Sequence, residues 1–285
     1  MNVHKKTLAT IGILSAALGL VLLPACGKQE DPFEKGQAAY DAGDYQTAAA
    51  QFKLAADKGN AEAMYRLGLC YHDGHGVEKD ANEAVKWYQN AVKGGNTEAQ
   101  AYLDSLTSVI DEVKSLTEAA EKGDADAMRT VAYAYLTGSG VKPSDEEAAK
   151  WFRKAAENGN SRAMLDIGLC YEDGVGVEKD PKEAFRWYRM AADKGLAYAE
   201  LNWCYKEGFG VEKDEAEAEK WYALYEEKEK QNHPAVSESE KKNEDASNPN
   251  RNPKKYTGRL VSDEALYFSL IRNMHTSEWR DVLVK

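Results

Sequence analysis

Apolar and small residues recur along this chain at intervals of three and four positions, which predicts amphipathic helices. In residues 61–96 such a set occurs twice, once on each side of a Gly-x-Gly-Val turn. The first set is Ala63, Met64, Leu67, Gly68 and Tyr71, and the second is Ala84, Trp87, Tyr88 and Ala91. The segment therefore predicts two antiparallel helices joined by a short turn.

The glycine turn returns along the chain at Val77, Val141, Val177 and Val211, with intervals of 64, 36 and 34 positions. Behind each turn, an N-cap residue is followed three positions later by a glutamate, the pattern of a capping box. The four pairs are Asp80–Glu83, Ser144–Glu147, Asp180–Glu183 and Asp214–Glu217. A period of this length predicts stacked units that bury their apolar faces against one another.

Two further units are less regular. Residues 33–60 predict a helix pair around a short Ala-Gly-Asp turn, and residues 97–124 predict a degenerate pair that has lost the glycine turn. This loss explains why the first interval is the longest. We therefore expect an all-α fold with six helix pairs, at 33–60, 61–96, 97–124, 125–160, 161–196 and 197–228.

Residues 1–25 predict a signal peptide outside the repeats. Lys5 and Lys6 precede an apolar run from Leu8 to Leu23, which is short for a membrane-spanning helix of about 20 residues. An ordinary cleaved signal and an uncleaved anchor are alternatives. The sequence Leu23-Pro-Ala-Cys26 resembles the lipobox of bacterial lipoproteins. This resemblance implies a lipid on the Cys26 thiol and a short tether at 26–32.

The residue after that cysteine is Gly27. In lipoproteins, a residue other than Asp at this position permits transfer to the outer membrane. The resemblance therefore implies a protein that is lipid-anchored in the bacterial cell envelope, on the outer membrane and facing the periplasm.

Beyond the repeats, the composition changes twice. Residues 229–258 are rich in Asn, Lys, Glu, Ser and Pro, so we expect a disordered linker. Residues 259–285 predict a short amphipathic segment in which Ser262 caps a helix with an apolar face formed by Leu266, Leu270, Ile271 and Met274. This segment would dock in the protein's own groove, cap the last helix pair or bind a partner.

The net charge and the cysteine positions argue against a nucleic-acid partner and against disulfide bonds. The net charge is −11, or −13 once Lys5 and Lys6 leave with the signal, which disfavours nucleic acid as a partner. The remaining cysteines, Cys70, Cys170 and Cys204, share one repeat position. Equivalent positions in packed helices lie roughly 10 Å apart, beyond the ~5.5 Å that a disulfide needs. We therefore expect three buried thiols.

The repeat reads Ala-x-Ala-Met-x-x-Leu-Gly-x-x-Tyr-x-x-Gly-x-Gly-Val, then Asp, then Ala-x-x-Trp-Tyr-x-x-Ala. It resembles the Sel-1-like repeat, a relative of the tetratricopeptide repeat, which residues 33–60 resemble more closely. The resemblance implies a right-handed α-solenoid of antiparallel helix pairs that mediates protein–protein contacts. Some cysteine-rich relatives carry a β-lactamase label, but each full copy here has at most one cysteine.

Two short motifs resemble a metal site and a catalytic site. His72 and His75 are too few for a structural zinc site, which takes four ligands, and indicate a variable turn. Ser139 with Lys142, and Ser239 with Lys242, match Ser-x-x-Lys, but no Lys-Thr-Gly companion exists and we interpret both as coincidence. We expect no catalytic residue, no cofactor and no metal.

The better candidate is a second row on each first helix, at relative positions 2, 5, 9 and 12. We call it the first-helix row, and it consists of Glu62, Tyr65, Leu69, His72, Asp126, Arg129, Tyr133, Leu136, Arg162, Leu165, Leu169, Glu172, Trp203 and Lys206. In solenoids of this kind the first helices line the concave surface, where mixed aromatic, leucine and charged residues suit a peptide groove. Alternatively, the row packs in part against neighbouring repeats.

We therefore expect a membrane-anchored extracytoplasmic scaffold that binds a protein or peptide. Two alternatives remain: a hydrolase of the β-lactamase-labelled subgroup, and a purely structural component of an envelope or export assembly.

Overall fold

The computed structural model describes residues 31–232, and every regular element in this part is an α-helix. The helices are α1 Pro32–Asp41, α2 Tyr45–Ala56, α3 Ala61–Asp73, α4 Ala81–Lys93, α5 Glu98–Glu121, α6 Ala125–Thr137, α7 Asp145–Glu157, α8 Ser161–Asp173, α9 Pro181–Ala192, α10 Tyr198–Glu207 and α11 Glu215–Asn232. Each helix packs on the next along the chain, which forms an α-solenoid. The predicted signal 1–25, the lipidation site Cys26, residues 233–258 of the predicted linker and the segment 259–285 lie outside the described residues. The linker prediction is wrong for residues 229–232, which continue α11.

The prediction of a helix pair at 97–124 is wrong, because α5 is one continuous helix of 24 residues. Its sequence contains neither Gly nor Pro, and its buried residues, Ala99, Leu106, Val113 and Ala120, are spaced seven apart. This spacing keeps one apolar stripe along a helix about 36 Å long. The described part of the chain therefore contains five helix pairs and one long single helix.

Helix α5 takes part in two separate core clusters. Its N-terminal half, with Ala99 and Leu106, packs with Tyr88 of α4. Its C-terminal half, with Leu116 and Ala120, packs in the cluster that runs through α6 to α10. The single helix thus replaces a first helix at one end and a second helix at the other.

The four glycine turns end their first helices as predicted, with a left-handed glycine at each C-cap: Gly74, Gly138, Gly174 and Gly208. The next glycine has a steric role as well. A Cβ at Gly76 would lie 1.9 Å from the backbone oxygen of Tyr45 in the preceding repeat. The turn therefore requires glycine both for its conformation and for the close approach of the repeats.

The capping boxes form only in part. The Asp80 carboxylate accepts hydrogen bonds from the amides of Asn82 and Glu83, as an N-cap does. The reverse bond is replaced, because the Asp80 amide donates to the carbonyl of Tyr71. Glu83 instead pairs with Lys86 at 2.5 Å.

Cys70, Cys170 and Cys204 are buried thiols, in agreement with the sequence prediction. Burial raises the pKa of the Cys70 thiol to about 11, and burial likewise raises the pKa of the Cys170 thiol. Between residues 31 and 232, none of the helices is both long enough and apolar enough to cross a bilayer.

Candidate protein-binding surface

The first helices carry the candidate surface, and asparagine caps fix how they are positioned. The Asn160 Oδ1 accepts a hydrogen bond from the Ala163 amide at 2.8 Å, which caps α8, and its Nδ2 donates to Asp126 of α6 at 2.6 Å. Asn96 and Glu62 repeat this bond between amide and carboxylate at 2.7 Å. Position 2 of the first-helix row therefore aligns one repeat with the next.

At position 5 of the row, the side chains of two repeats pack against the next unit of the solenoid. Arg129 donates from Nε to Asp166 Oδ2 at 2.6 Å, and the Tyr133 hydroxyl donates to the other carboxylate oxygen at 3.0 Å. Tyr65, at the same position in an earlier repeat, is 5% exposed and lies against the rings of Tyr88 and Tyr102. These side chains are largely enclosed.

Position 12 is also partly enclosed. Glu172 is 5% exposed and accepts a hydrogen bond of 2.7 Å from the hydroxyl of Tyr188, which is fully buried. Burial, followed by the charge of Glu172, raises the pKa of Tyr188. In an earlier repeat the His72 ring lies 3.3 Å from the hydroxyl of Tyr88, the equivalent tyrosine.

The first-helix row is therefore accessible to a partner only in part. Tyr65 and Arg129 pack between repeats, in line with the alternative interpretation of the row, and Glu172 packs against the second helix of its own repeat. Besides Arg129, the members of the row that remain partly or fully exposed lie on helices α3, α6, α8 and α10, and they are Glu62, Leu69, His72, Asp126, Tyr133, Leu136, Arg162, Leu165, Leu169, Trp203 and Lys206.

The exposed part is most complete on α8 and α10. There Leu165 and Leu169 are half-buried, while Arg162 is exposed at one end. On α10, Trp203 packs beside Phe209 with ring centroids 4.6 Å apart, and Lys206 is exposed. Apolar side chains between two cations form a surface that suits an extended segment carrying apolar and acidic groups.

Sequence reasoning missed a cavity of about 450 Å³ between α2, α3 and the turn at Gly76 and Val77. Its lining is apolar apart from two polar side chains, and consists of Gln46, Ala49, Ala50, Lys53, Leu54, Leu67, Tyr71, Gly76 and Val77. The available signal was Ala49, which stands five positions after its N-cap, where α9 has Phe185. A small side chain at that position leaves room between the repeats.

In the two motifs considered as catalytic or metal-binding, His75 and Lys142 make contacts with side chains of other repeats. The His75 Nδ1 lies 3.0 Å from the Tyr40 hydroxyl, and its ring stacks on Tyr45. Lys142, from the first Ser-x-x-Lys match, pairs with Glu78 at 2.9 Å, while the second match lies beyond the described residues. Among residues 31–232, no three His, Cys, Asp or Glu side chains converge as a metal site would require.

Comparison with known proteins identifies the repeat. The model of the Sel1 repeat matches residues 61–96, 125–160, 161–196 and 196–224. A solved Sel1 repeat protein from Oxalobacter formigenes is 34% identical, and the match covers 68% of this chain and 84% of that chain with a TM-score of 0.41.

Two curated relatives are similar over shorter or more divergent stretches. The DAP3-binding cell death enhancer 1 of Rattus norvegicus is 42% identical over 66 residues, or 23% of this chain and 13% of that protein. An exopolysaccharide production negative regulator of Rhizobium leguminosarum bv. viciae is 26% identical over 175 residues, or 50% of this chain and 66% of that protein. The chain thus spans about one eighth of the first relative and about two thirds of the second.

Sel1 repeats typically mediate protein–protein interaction, and proteins built from them are generally non-catalytic scaffolds. The four matched repeats coincide with the helix pairs α3–α4, α6–α7, α8–α9 and α10–α11. This chain belongs to the family of Sel1 repeat proteins.

Proposed function

We propose that this protein is a membrane-anchored extracytoplasmic scaffold that binds a protein or peptide through the concave face formed by its first helices. The observation that carries the proposal is the set of half-buried apolar side chains on α8 and α10, with Arg162 and Lys206 at its edges. Leu165, Leu169 and Trp203 keep part of their surface available to a partner, whereas the aromatic rings of Phe152 and Tyr188 on the second helices are fully buried.

The surface also indicates the chemistry of the partner. Aromatic and leucine side chains supply binding energy when a partner excludes water from them, and surrounding charges set orientation and association rate. Arg162 and Lys206 are exposed cations on a chain whose net charge is −11. The expected partner presents an apolar segment with an acidic group near one end.

The test is a crosslinking pull-down from membranes with two matched variants. The surface variant carries Arg162→Glu, Leu165→Ser and Leu169→Ser. The control carries Lys53→Glu and Leu54→Ser, which changes the cavity on α2 instead. Circular dichroism establishes that both variants remain folded.

Loss of one specific protein with the α8 variant, and its retention with the α2 variant, supports the proposal. Retention with the α8 variant and loss with the α2 variant would move binding to the α2 cavity. An unchanged set of crosslinked proteins in both would exclude either surface.

Membrane anchoring is tested separately through Cys26. We expect wild type to incorporate labelled palmitate and to fractionate with the outer membrane. Cys26→Ser should lose the label and leave the membrane fraction, because the acyl chains supply the anchoring. A Cys26→Ser protein that stays in the membrane would contradict lipidation as the anchor.

A second candidate function rests on the Rhizobium relative, which is named as a regulator of exopolysaccharide production. By analogy with that relative, the scaffold would have a regulatory or structural role in an envelope polysaccharide system. The two roles differ in stoichiometry: a structural component co-purifies with its assembly in fixed ratio, whereas a regulator alters polysaccharide yield without doing so.

A further inference from the structure

In the last helix pair, an aromatic side chain is exposed at a position that the earlier pairs bury. In the four earlier pairs, the eighth residue after the N-cap of the second helix is an aromatic residue with no exposed surface: Phe52, Tyr88, Phe152 and Tyr188. The equivalent residue of α11 is Tyr222, which is 49% exposed.

The exposure of Tyr222 has two causes. In α3 and α8 the aromatic ring lies over a glycine, Gly68 or Gly168, but α10 has Asn202 at that position. The Asn202 side chain donates to the carbonyl of Ala218 at 2.8 Å, so an amide side chain stands where α3 and α8 have no side chain. The second cause is that, within the described residues, no further first helix covers α11.

The earlier interfaces show what such a cover consists of. Ala163 and Met164, at positions 3 and 4 of α8, lie in the core cluster with Phe152 and Ala156 of the preceding helix. Ala63 and Met64 of α3 do the same beside Phe52. An N-capped helix with Ala and then a long apolar residue at these positions therefore closes a repeat.

The same arrangement of residues occurs once more near the C-terminus. Residues 262–267 read Ser-Asp-Glu-Ala-Leu-Tyr, and residues 60–65 read Asn-Ala-Glu-Ala-Met-Tyr. The N-cap type, the Glu, the Ala and the Tyr agree, and Leu266 stands for Met64. The likeness ends after the first turns, since Leu270 stands where Gly68 admits a ring from a second helix.

The chain between α11 and Ser262 is long enough for the C-terminal segment to reach back to α11. Residues 233–261 separate the end of α11 from Ser262, and a flexible chain of that length spans about 30 Å. Helix α11, with 18 residues, is about 27 Å long. The C-terminal segment can therefore reach back to the Tyr222 region.

We propose that residues 262–274 pack on α11 at Tyr222, as the first helix of an incomplete further repeat. Ala265 and Leu266 take the places that Ala163 and Met164 occupy on α7. The occupant of this face is then the chain itself, and the segment lies at the end of the solenoid, away from α8.

The test is hydrogen–deuterium exchange on the full-length protein in mild detergent, with two single variants. Tyr222→Asp alters the covered face, and Leu54→Asp is the matched control because Leu54 is also 49% exposed. In wild type and in the control, amides of residues 265–274 should exchange at least about tenfold more slowly than in Tyr222→Asp.

A reciprocal variant guards against local unfolding of α11. Ala265→Arg lies outside the solenoid, so faster exchange of residues 218–225 in this variant reports loss of the cover. Equally fast exchange of 265–274 in wild type and Tyr222→Asp would overturn the proposal. Protection that disappears on dilution, together with a dimer in sedimentation, would show that a second copy supplies the cover and would overturn it as well.

Discussion

The Nε of Arg129 lies 2.6 Å from Oδ2 of Asp166, and the pair joins α6 to α8 across the boundary between two repeats. Both side chains are largely buried, at 11% and 5% exposure. The other oxygen of the same carboxylate accepts from Tyr133. An arginine that the sequence places on a binding row thus aligns neighbouring repeats.

Removing one partner of this pair should be strongly destabilising. Asp166→Ala leaves the guanidinium in a largely enclosed site without this carboxylate, and we expect the free energy of unfolding to fall by about 3–5 kcal/mol. Urea denaturation measures the change. Lys150→Ala, which breaks the exposed pair with Glu147, should leave the midpoint nearly unchanged. Equal effects of the two variants would show that burial of the Arg129–Asp166 pair is unimportant.

Gly168 should not tolerate a methyl group. A Cβ there would lie 2.5 Å from Cε1 of Tyr188, a fully buried ring. Although alanine favours helices by about 1 kcal/mol over glycine, we expect Gly168→Ala to lose about 1–3 kcal/mol through overpacking. In a Tyr188→Leu background the same change should be neutral or stabilising. Thermal unfolding of the four proteins in this cycle tests the prediction, which fails if Gly168→Ala is stabilising in wild type.

The continuity of α5 is testable at its middle. Ser108 is exposed and lies inside the helix, so Ser108→Pro should remove a backbone hydrogen bond and lower stability by about 3 kcal/mol. Ser108→Ala is the control and should be neutral or slightly stabilising. A proline tolerated at this position would indicate a turn near residue 108, as in a helix pair.

Glu200 should make stability depend on pH. Burial, and then the nearby charge of Glu172, raise the pKa of the Glu200 carboxyl. The folded state therefore favours the protonated form, and its stabilising contribution is full below pH of about 4 and is lost as pH rises through the folded-state pKa. We expect Glu200→Gln to be more stable than wild type at pH 7, with the gap closing towards pH 4.

The matched control for this experiment is Glu207→Gln, on the exposed end of the same helix. Its stability relative to wild type should vary little over the same pH range. Chemical denaturation at several pH values gives the comparison. A Glu200→Gln effect of the same size at pH 7 and pH 4 would contradict the assignment.

Local signals predicted the helix pairs and the positions of their ends. A left-handed glycine, an N-cap side chain and an apolar stripe all act within a few residues of one another. For this reason Gly74, Asp80 and the equivalent residues could be identified from the sequence. The partner of Glu83 could not, because the Asp80 amide is taken by the Tyr71 carbonyl once the turn has closed.

The sequence of α5 contains two signs of a single continuous helix, namely the seven-residue spacing of its buried residues and the absence of Gly and Pro. Comparison with the other repeats concealed it, because a 28-residue unit suggests a shortened pair. The helix is continuous since no residue within it interrupts the backbone hydrogen bonds, and its two halves complete two different core clusters.

The sequence by itself determined the repeat, the first helices and the row of positions that they share. Tertiary structure decided which members of that row remain accessible. Tyr65 and Leu165 hold the same repeat position, yet Tyr102 of α5 lies against Tyr65, while Leu165 keeps part of its surface exposed. Exposure depends on side chains from a neighbouring repeat more than 30 positions away, and a pattern within one repeat does not contain that information.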